Sequence, residues 1–362
     1  MKIGRLVYDK KQKGMNEKVF CNYGDNIQTI ALDGIVEELF PKEQIVDINI
    51  YDMPNYDGEY VLLPLNCNLW TCDENYFLPA SDKIIPVFIA VSFQIPPTST
   101  KAIDYLKKWE PIGCRDFETL DMMRKLEIRA YLNGCTTLTL PKRISEPEKK
   151  KVFLVGVSES LRGQILHKIG DDNVEIVNQL EIYENDTLGS SSVTDQKTRQ
   201  IYQRYRDEAT LIVTSKLHCA SPCIAMGIPV IVIREKKSCR FEWINKLIPI
   251  YSHEDIDIIN WQPDVIEAEP LKKKMRALIS KRIQESYYEH ADWAEISEFF
   301  EGCEHEDAFS VSEQIISAVK NSGKAKYIIW GVGGYLGNAI YNILSESCPD
   351  INMVAAIDEY KE

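Results

Sequence analysis

Residues 210–234, TLIVTSKLHCASPCIAMGIPVIVIR, read as strand, polar turn, helix, strand. Residues 211–214 are a short apolar, largely β-branched run; Ser215, Lys216 and His218 interrupt it; residues 219–226 continue as a helix and 228–233 as a second buried strand. This reading puts Pro222 in the first helical turn, where a missing N–H costs nothing, and Gly227 at a left-handed C-terminal cap. Such a unit belongs to a parallel α/β sheet. Its polar turn lies where a strand's carboxyl end meets a helix's amino end, the place where open α/β sheets bind ligands and where free amides and the helix dipole favour an anion. Lys216, Ser215 and His218 are therefore candidates for holding an anionic ligand.

The rest of the composition sharpens that expectation. The 362 residues carry 42 Lys and Arg against 55 Asp and Glu, a formal net charge of -13. No nucleic-acid partner is expected from such a balance, and an anionic ligand has to be met by a local basic pocket. Lys2, Arg5, Asp9, Lys10 and Lys11 exclude an ordinary signal peptide, and Lys216, His218, Pro222 and Pro229 interrupt the most apolar stretch, so no transmembrane segment is expected. The ten cysteines are scattered without paired zinc spacing. Free thiols in a reducing cytoplasm, with no metal site, follow from that usage.

Upstream of the opening stretch the same alternation recurs. Residues 152–157 and 175–180 read as strands and 195–209 as a charged helix, while 142–151, charged and carrying Pro147, reads as a linker. In the first half, strands are expected at 3–8, 45–50, 60–64, 84–91 and from 112, with helices from 27 to 39, at 102–109 and up to 128. The architecture expected is α/β: two doubly wound Rossmann-like domains, 1–145 and 146–320, facing each other across a cleft, followed by a partial glycine-rich βαβ unit at 321–362. That last unit, with Gly331, Gly333, Gly334 and Gly337 after an apolar strand and Asp358 after a second, resembles the first βαβ of a dinucleotide-binding domain; either the sequence ends inside a third domain or the unit docks on the preceding one.

Several polar residues fall at expected strand ends. Gly24, Asp25 and Asn26 precede the first helix, where Asp25 and Asn26 have two readings: N-caps, or ligand contacts. Asn66, Ser92 and Gln94 follow strands and either hydrogen-bond a sugar or are simply solvated. Arg115 is either an ion-pair partner of Asp116 or a fork for a carboxylate or phosphate. Lys237 and Arg240 sit in a basic loop beside the opening stretch, either solvated or closing over a ligand.

Asn22-Tyr23-Gly24-Asp25-Asn26-Ile27-Gln28, Gly113-Cys114-Arg115-Asp116, Asn133-Gly134-Cys135 with Leu138-Thr139-Leu140, Thr214-Ser215-Lys216-Leu217-His218-Cys219-Ala220 and Gly227-Ile228-Pro229-Val230, in this order, resemble the polysaccharide pyruvyl transferase family over residues 1 to about 300. The resemblance implies a fold similar to two-domain glycosyltransferases of the GT-B type. It also implies transfer of pyruvate from phosphoenolpyruvate to sugar hydroxyls of a surface-polysaccharide precursor, forming a ketal. The family's basic-Leu-His motif falls on Lys216-Leu217-His218, with lysine where many members have arginine; a point charge replaces a bidentate fork, which makes Arg115 and Arg240 the expected helpers. The resemblance puts phosphoenolpyruvate at Lys216 and His218; with the residue readings above, Arg115, Arg240 and Ser215 are expected beside it, His218 and Asp25 as proton-transfer groups, and Gly24, Asp25, Asn26, Asn66 and Gln94 toward the acceptor. No cofactor is required; the acceptor is a lipid-linked or nucleotide-linked saccharide, the former implying peripheral membrane association. Two other readings remain open: a GT-B glycosyltransferase using a nucleotide sugar, and a non-catalytic assembly subunit.

Overall fold

The computed structural model describes residues 1–8, 19–41, 43–69, 77–183, 191–235, 238–300, 326–330 and 352–357. Residues 1–294 form one compact unit and 295–362 a second. The first begins with β1 (Lys2–Val7), β2 (Val19–Asn22), α1 (Tyr23–Leu39), β3 (Ile45–Asn49), β4 (Val61–Leu65), β5 (Asn68–Leu69), β6 (Ile84–Phe88), β7 (Ser92–Phe93), α2 (Thr100–Lys108), β8 (Ile112–Cys114), α3 (Phe117–Lys125) and β9 (Ala130–Leu132). It continues with β10 (Lys151–Val155), α4 (Glu159–Ile169), β11 (Val174–Val177), β12 (Leu180–Tyr183), α5 (Ser191–Glu208), β13 (Ala209–Thr214), α6 (Leu217–Ala225), β14 (Val230–Ile233), β15 (Ile250–Tyr251) and most of α7 (Glu269–Phe300), the boundary falling within that helix. In the second unit β16 (Lys326–Trp330) and β17 (Asn352–Ile357) pair in parallel, while the glycine-rich turn between them lies outside the described residues.

The two larger sheets of the first unit are parallel and Rossmann-like. One has the order β3-β1-β4-β6 and the other β11-β10-β13-β14-β15. Strands buried on both faces read as continuous apolar runs, and every residue of β4 and β6 is buried. Pro64 inside β4 breaks no ladder toward β1, because that pairing covers only Lys2 to Val61 and Ile3 to Leu62. Beyond β6 the sheet is continued by a Val91–Cys114 bridge to the β8–β9 pair. Gly113 makes this possible: a Cβ there would lie 2.1 Å from the Ile89 carbonyl oxygen.

Three connections tie the two sheets together. β2 pairs antiparallel with β12, and the Tyr23 amide extends the contact to the Gln179 carbonyl at 3.0 Å. Arg5 on β1 meets Asp33 of α1 at 2.9 Å and also pairs with Asp195 of α5, while Arg199 of α5 reaches Asp33 at 3.0 Å. Thr137, in a short 3₁₀ turn after β9, donates to Ser221 of α6 at 2.8 Å.

Two local expectations are corrected. Helix α1 starts earlier than Asp25 or Asn26 would allow; Asn22 is its N-cap, its side chain accepting from the Gly24 amide at 3.0 Å. Asp25 therefore lies in the first turn, where its charge suits the helix dipole. Pro222 is not in the first turn of α6 but well inside it. Its absent N–H leaves the His218 carbonyl without an intrahelical donor, and the Tyr202 hydroxyl supplies one, itself accepting from Gln179 at 3.0 Å. Gly227 does follow α6 with φ of 73°. All nine residues of α6 are buried, as suits a helix that is core on every face. The buried Lys272 donates to the Ala225 carbonyl at 3.0 Å, placing a cation at the helix's negative end.

Candidate active site

In each sheet the strand order reverses direction once, between β1 and β4 and between β10 and β13. Residues leaving the carboxyl ends of strands at such points line the ligand crevice of open α/β sheets. Tyr8 and Asn66 leave the first pair, Gly156 and Ser215 the second. The amino ends of α1 and α6 also meet here: a Cβ on Gly24 would stand 3.2 Å from the His218 Cβ.

Arg115, just beyond β8, is fully buried and donates through Nη1 to Gln28 Oε1 at 2.6 Å. Its Nε and Nη2 have no partner. The ion pair with Asp116 does not form: Asp116 caps α3 by accepting from the Thr119 amide at 2.9 Å and takes the Ser92 hydroxyl at 2.6 Å. Arg240, in a 3₁₀ turn after β14, also keeps an unpartnered buried Nε. Burial lowers its proton affinity and Arg115 lowers it further, while Asp25 and Asp116 counteract. Two guanidinium groups thus share one desolvated region.

His218 lies among them, 8% exposed, with Nε2 unpartnered. Burial, then Arg115, then Arg240 hold its imidazole well below the ordinary value, so it is neutral at physiological pH. Asp25 is half-buried and accepts from the Asn22 side chain through Nδ2 at 3.0 Å. Tyr8 is kept protonated by burial, with Cys67 and Asp25 adding to the effect. The Cys67 thiol is pushed up to about 12, again chiefly by burial, which leaves no thiolate nucleophile there.

The remaining candidates are placed differently. Lys216 is exposed, and its stem lies along Gly156 at the second crevice. Ser215 is half-buried and donates to the Gly156 carbonyl at 2.6 Å, while its own carbonyl accepts from Arg234 at 2.7 Å. Gly24 and Asn26 are buried in the first turn of α1, with Asn26 donating to the Asn22 carbonyl at 3.2 Å. Asn66 is buried; its Nδ2 reaches the Gln28 carbonyl at 3.3 Å and Thr136, and its Oδ1 is unpartnered. Gln94 is exposed. Lys237 lies outside the described residues.

Sequence reading missed three residues as individual participants. Gln28 orients Arg115, Trp243 carries an unpartnered buried indole N–H, and Asn133 has both ends of its carboxamide unpartnered. The only signal available for Gln28 and Asn133 was their place within the quoted motifs. Among the described residues no group of three or more His, Cys, Asp or Glu is placed to hold a metal, and no helix is long and apolar enough to cross a membrane.

The fold and site together define a mixed α/β protein whose parallel sheets direct buried, unsatisfied nitrogen donors into one region. The model of the polysaccharide pyruvyl transferase family matches residues 22–237, more than half of the chain, and the protein belongs to that family. No curated protein matches the chain. Similar solved structures include a functionally uncharacterised protein from Klebsiella pneumoniae, with 15% identity and a TM-score of 0.35, covering 69% of this chain and 92% of that one. They also include a structure of accessory secretory protein 1, 2 and 3 from Streptococcus pneumoniae, with 12% identity and a TM-score of 0.30, covering 74% and 55% respectively.

Proposed function

We propose that the protein transfers pyruvate from phosphoenolpyruvate to a pair of hydroxyls on a saccharide, releasing phosphate and forming a ketal. The observation that carries this reading is the set of buried nitrogens without partners on Arg115, Arg240 and His218. Unbonded buried polar groups are costly, and for the guanidinium donors of Arg115 and Arg240 a small, highly charged anion is the ligand that satisfies them best. Phosphoenolpyruvate presents a carboxylate and a phosphate to two guanidinium groups. Lys216 adds a cation from the exposed rim, Ser215 offers a hydroxyl beside it, and the amino ends of α1 and α6 contribute their amides.

Neutral His218 is suited to begin as a base. Countering the Arg115 and Arg240 charges with the bound anion raises its proton affinity, so it accepts a proton from one acceptor hydroxyl and delivers it to the enol methylene carbon. The C2 centre becomes oxocarbenium-like and is attacked by that hydroxyl's oxygen; a second hydroxyl then displaces phosphate, and its proton leaves with the phosphate. Asp25, in the electrostatic field of Arg240, receives the second proton in transit. Atoms and charge balance without any cofactor: one hydroxyl proton ends in the new methyl group and the other on phosphate.

In this reading the two parallel sheets take the roles of the two domains of a GT-B-like enzyme, divided near residue 145, with the acceptor toward the first sheet and phosphoenolpyruvate toward the second. The acceptor is a lipid-linked or nucleotide-linked precursor, and the enzyme works in the cytoplasm. Calorimetric titration with phosphoenolpyruvate tests the donor, and phosphate release in the presence of a glycan tests the transfer. Absence of binding at millimolar phosphoenolpyruvate, with tight uridine diphosphate binding instead, would move the reading to a nucleotide-sugar glycosyltransferase.

A further inference from the structure

The site contains acceptors that the proposed donor substrate cannot satisfy. Arg115, Arg240 and Trp243 offer only N–H groups. Asn133 and Asn66 also present oxygens: both Asn133 Oδ1 and Nδ2, and Asn66 Oδ1, are buried and unpartnered. The Asn66 orientation is fixed, because its Nδ2 donates to the Gln28 carbonyl. For Asn133 the orientation does not matter; turning the carboxamide over leaves one orphan donor and one orphan acceptor in either case. Fully ionised phosphoenolpyruvate has no hydrogen to donate to either oxygen. A hydroxyl group has one, and also accepts.

Asn133 stands beside the cationic cluster. Leu132 pairs with Cys114, so Arg115 and Asn133 leave adjacent parallel strands side by side, with the Asn133 amide on the Cys114 carbonyl at 2.8 Å. The next residue, Gly134, has φ of 71° and turns the chain against the Trp243 ring, to which a Cβ would come within 3.2 Å. Asn133 thereby lies between Arg115 on one side and the Arg240–Trp243 segment on the other. It is 8% exposed. Asn66 belongs to the same neighbourhood through Thr136, three residues further along, and through Gln28, which holds Arg115.

We propose that Asn133 is a specificity-determining residue that reads the acceptor: its carboxamide donates to one sugar hydroxyl and accepts from another, with Asn66 Oδ1 accepting from a third. This deepens the pyruvyl-transfer reading and rests on it for the identity of the neighbouring anion. A ligand bearing adjacent hydroxyls on a ring is the chemistry that satisfies both oxygens at once.

The experiment uses the full chain, wild type and Asn133→Leu, which keeps the size and removes both polar groups. Saturation-transfer NMR is recorded with methyl glucopyranoside, galactopyranoside and mannopyranoside, with and without phosphoenolpyruvate, and phosphoenolpyruvate affinity is titrated separately. At least one glycoside is expected to bind wild type, with binding weakened tenfold or more by Asn133→Leu while phosphoenolpyruvate affinity stays within about twofold. Asn133→Ser, which keeps a donor and an acceptor, is expected to recover part of the sugar binding, and it replaces the leucine variant in the comparison should that one not fold. The inference is overturned by wild type binding none of the three glycosides, by equal binding in the variants, or by a tenfold loss of phosphoenolpyruvate affinity, which would assign Asn133 to the donor. Sugar binding that depends on Asn133 in a protein that ignores phosphoenolpyruvate would leave Asn133 as a hydroxyl reader and sink the transfer reaction instead.

Discussion

A neutral histidine buried beside two arginines ties stability to pH in a definite direction. In the folded, ligand-free protein His218 holds its proton less well than in the unfolded chain, through burial first and Arg115 and Arg240 next. The unfolded state therefore binds more protons below about pH 6.5, the ordinary histidine value, so the contribution is fully present above that pH and is lost as pH falls through it. The limiting slope is about 1.4 kcal/mol per pH unit for one group, and half-titration at the start of the interval reduces the loss between pH 6.5 and 5.5 to about 1 kcal/mol. His218→Gln, which cannot titrate, should lack this component. Chemical denaturation of both proteins at pH 7.5, 6.5 and 5.5 measures it, since the other histidines and the carboxylates are common to both. A parallel pH dependence in wild type and variant would refute the argument. The same geometry predicts that phosphoenolpyruvate, by countering the two arginines, raises the proton affinity of His218. Titrations near pH 6 in buffers of different ionisation heat should then show more proton uptake in wild type than in His218→Gln, the phosphate group's own titration being common to both.

Other outcomes follow from individual contacts. Arg115→Met should weaken phosphoenolpyruvate binding at least a hundredfold, about 2.7 kcal/mol, by calorimetry; a loss of tenfold or less would remove Arg115 from the donor site. Tyr202→Phe strips the donor from the His218 carbonyl and the acceptor from Gln179, and should cost about 1–3 kcal/mol in denaturant-induced unfolding. Gly134→Ala forces a side chain into positive φ against Trp243 and should cost about 1–3 kcal/mol with a changed tryptophan emission, whereas an unchanged emission would contradict the contact. Asp33→Asn weakens the part-buried network with Arg5 and Arg199, and its destabilising effect should shrink as salt is raised.

The strand-turn-helix-strand at residues 210–234 was legible because periodicity, a glycine stop and apolar strands all agree there. So were β4 and β6 as strands of an α/β alternation. The start of α1 was misjudged because three capping residues, Asn22, Asp25 and Asn26, lie within five positions, and local preference does not rank them. Pro222 was misplaced for a different reason: what makes a mid-helix proline tolerable is the Tyr202 hydroxyl, which arrives from another helix. Residues 142–150 lack regular structure, as their charge suggested, yet Arg143 is anchored through the Ala209 carbonyl at 2.8 Å. The β2 strand was not among the expected strands, since four residues carry little periodicity and its partner lies far along the chain. Asn133 and Gln28 matter through who is near them, and no pattern along the chain records that.

The β2–β12 ladder also bears on synthesis. A nascent chain that has emerged only as far as residue 178 already contains Asp25, Arg115 and Asn133, but neither the Gln179 carbonyl that receives the Tyr23 amide nor the strand that pairs with residues 19–22. Joining them closes a loop of well over a hundred residues, a non-local contact whose entropy has to be met before it is rewarded. Until translation passes residue 218 the amino end of α1 has no His218 to face, and until it passes residue 240 Arg115 has no second guanidinium beside it. The cluster of Arg115, His218 and Arg240 is therefore complete only once residue 240 has been made, although Arg115 is in the chain more than a hundred residues earlier.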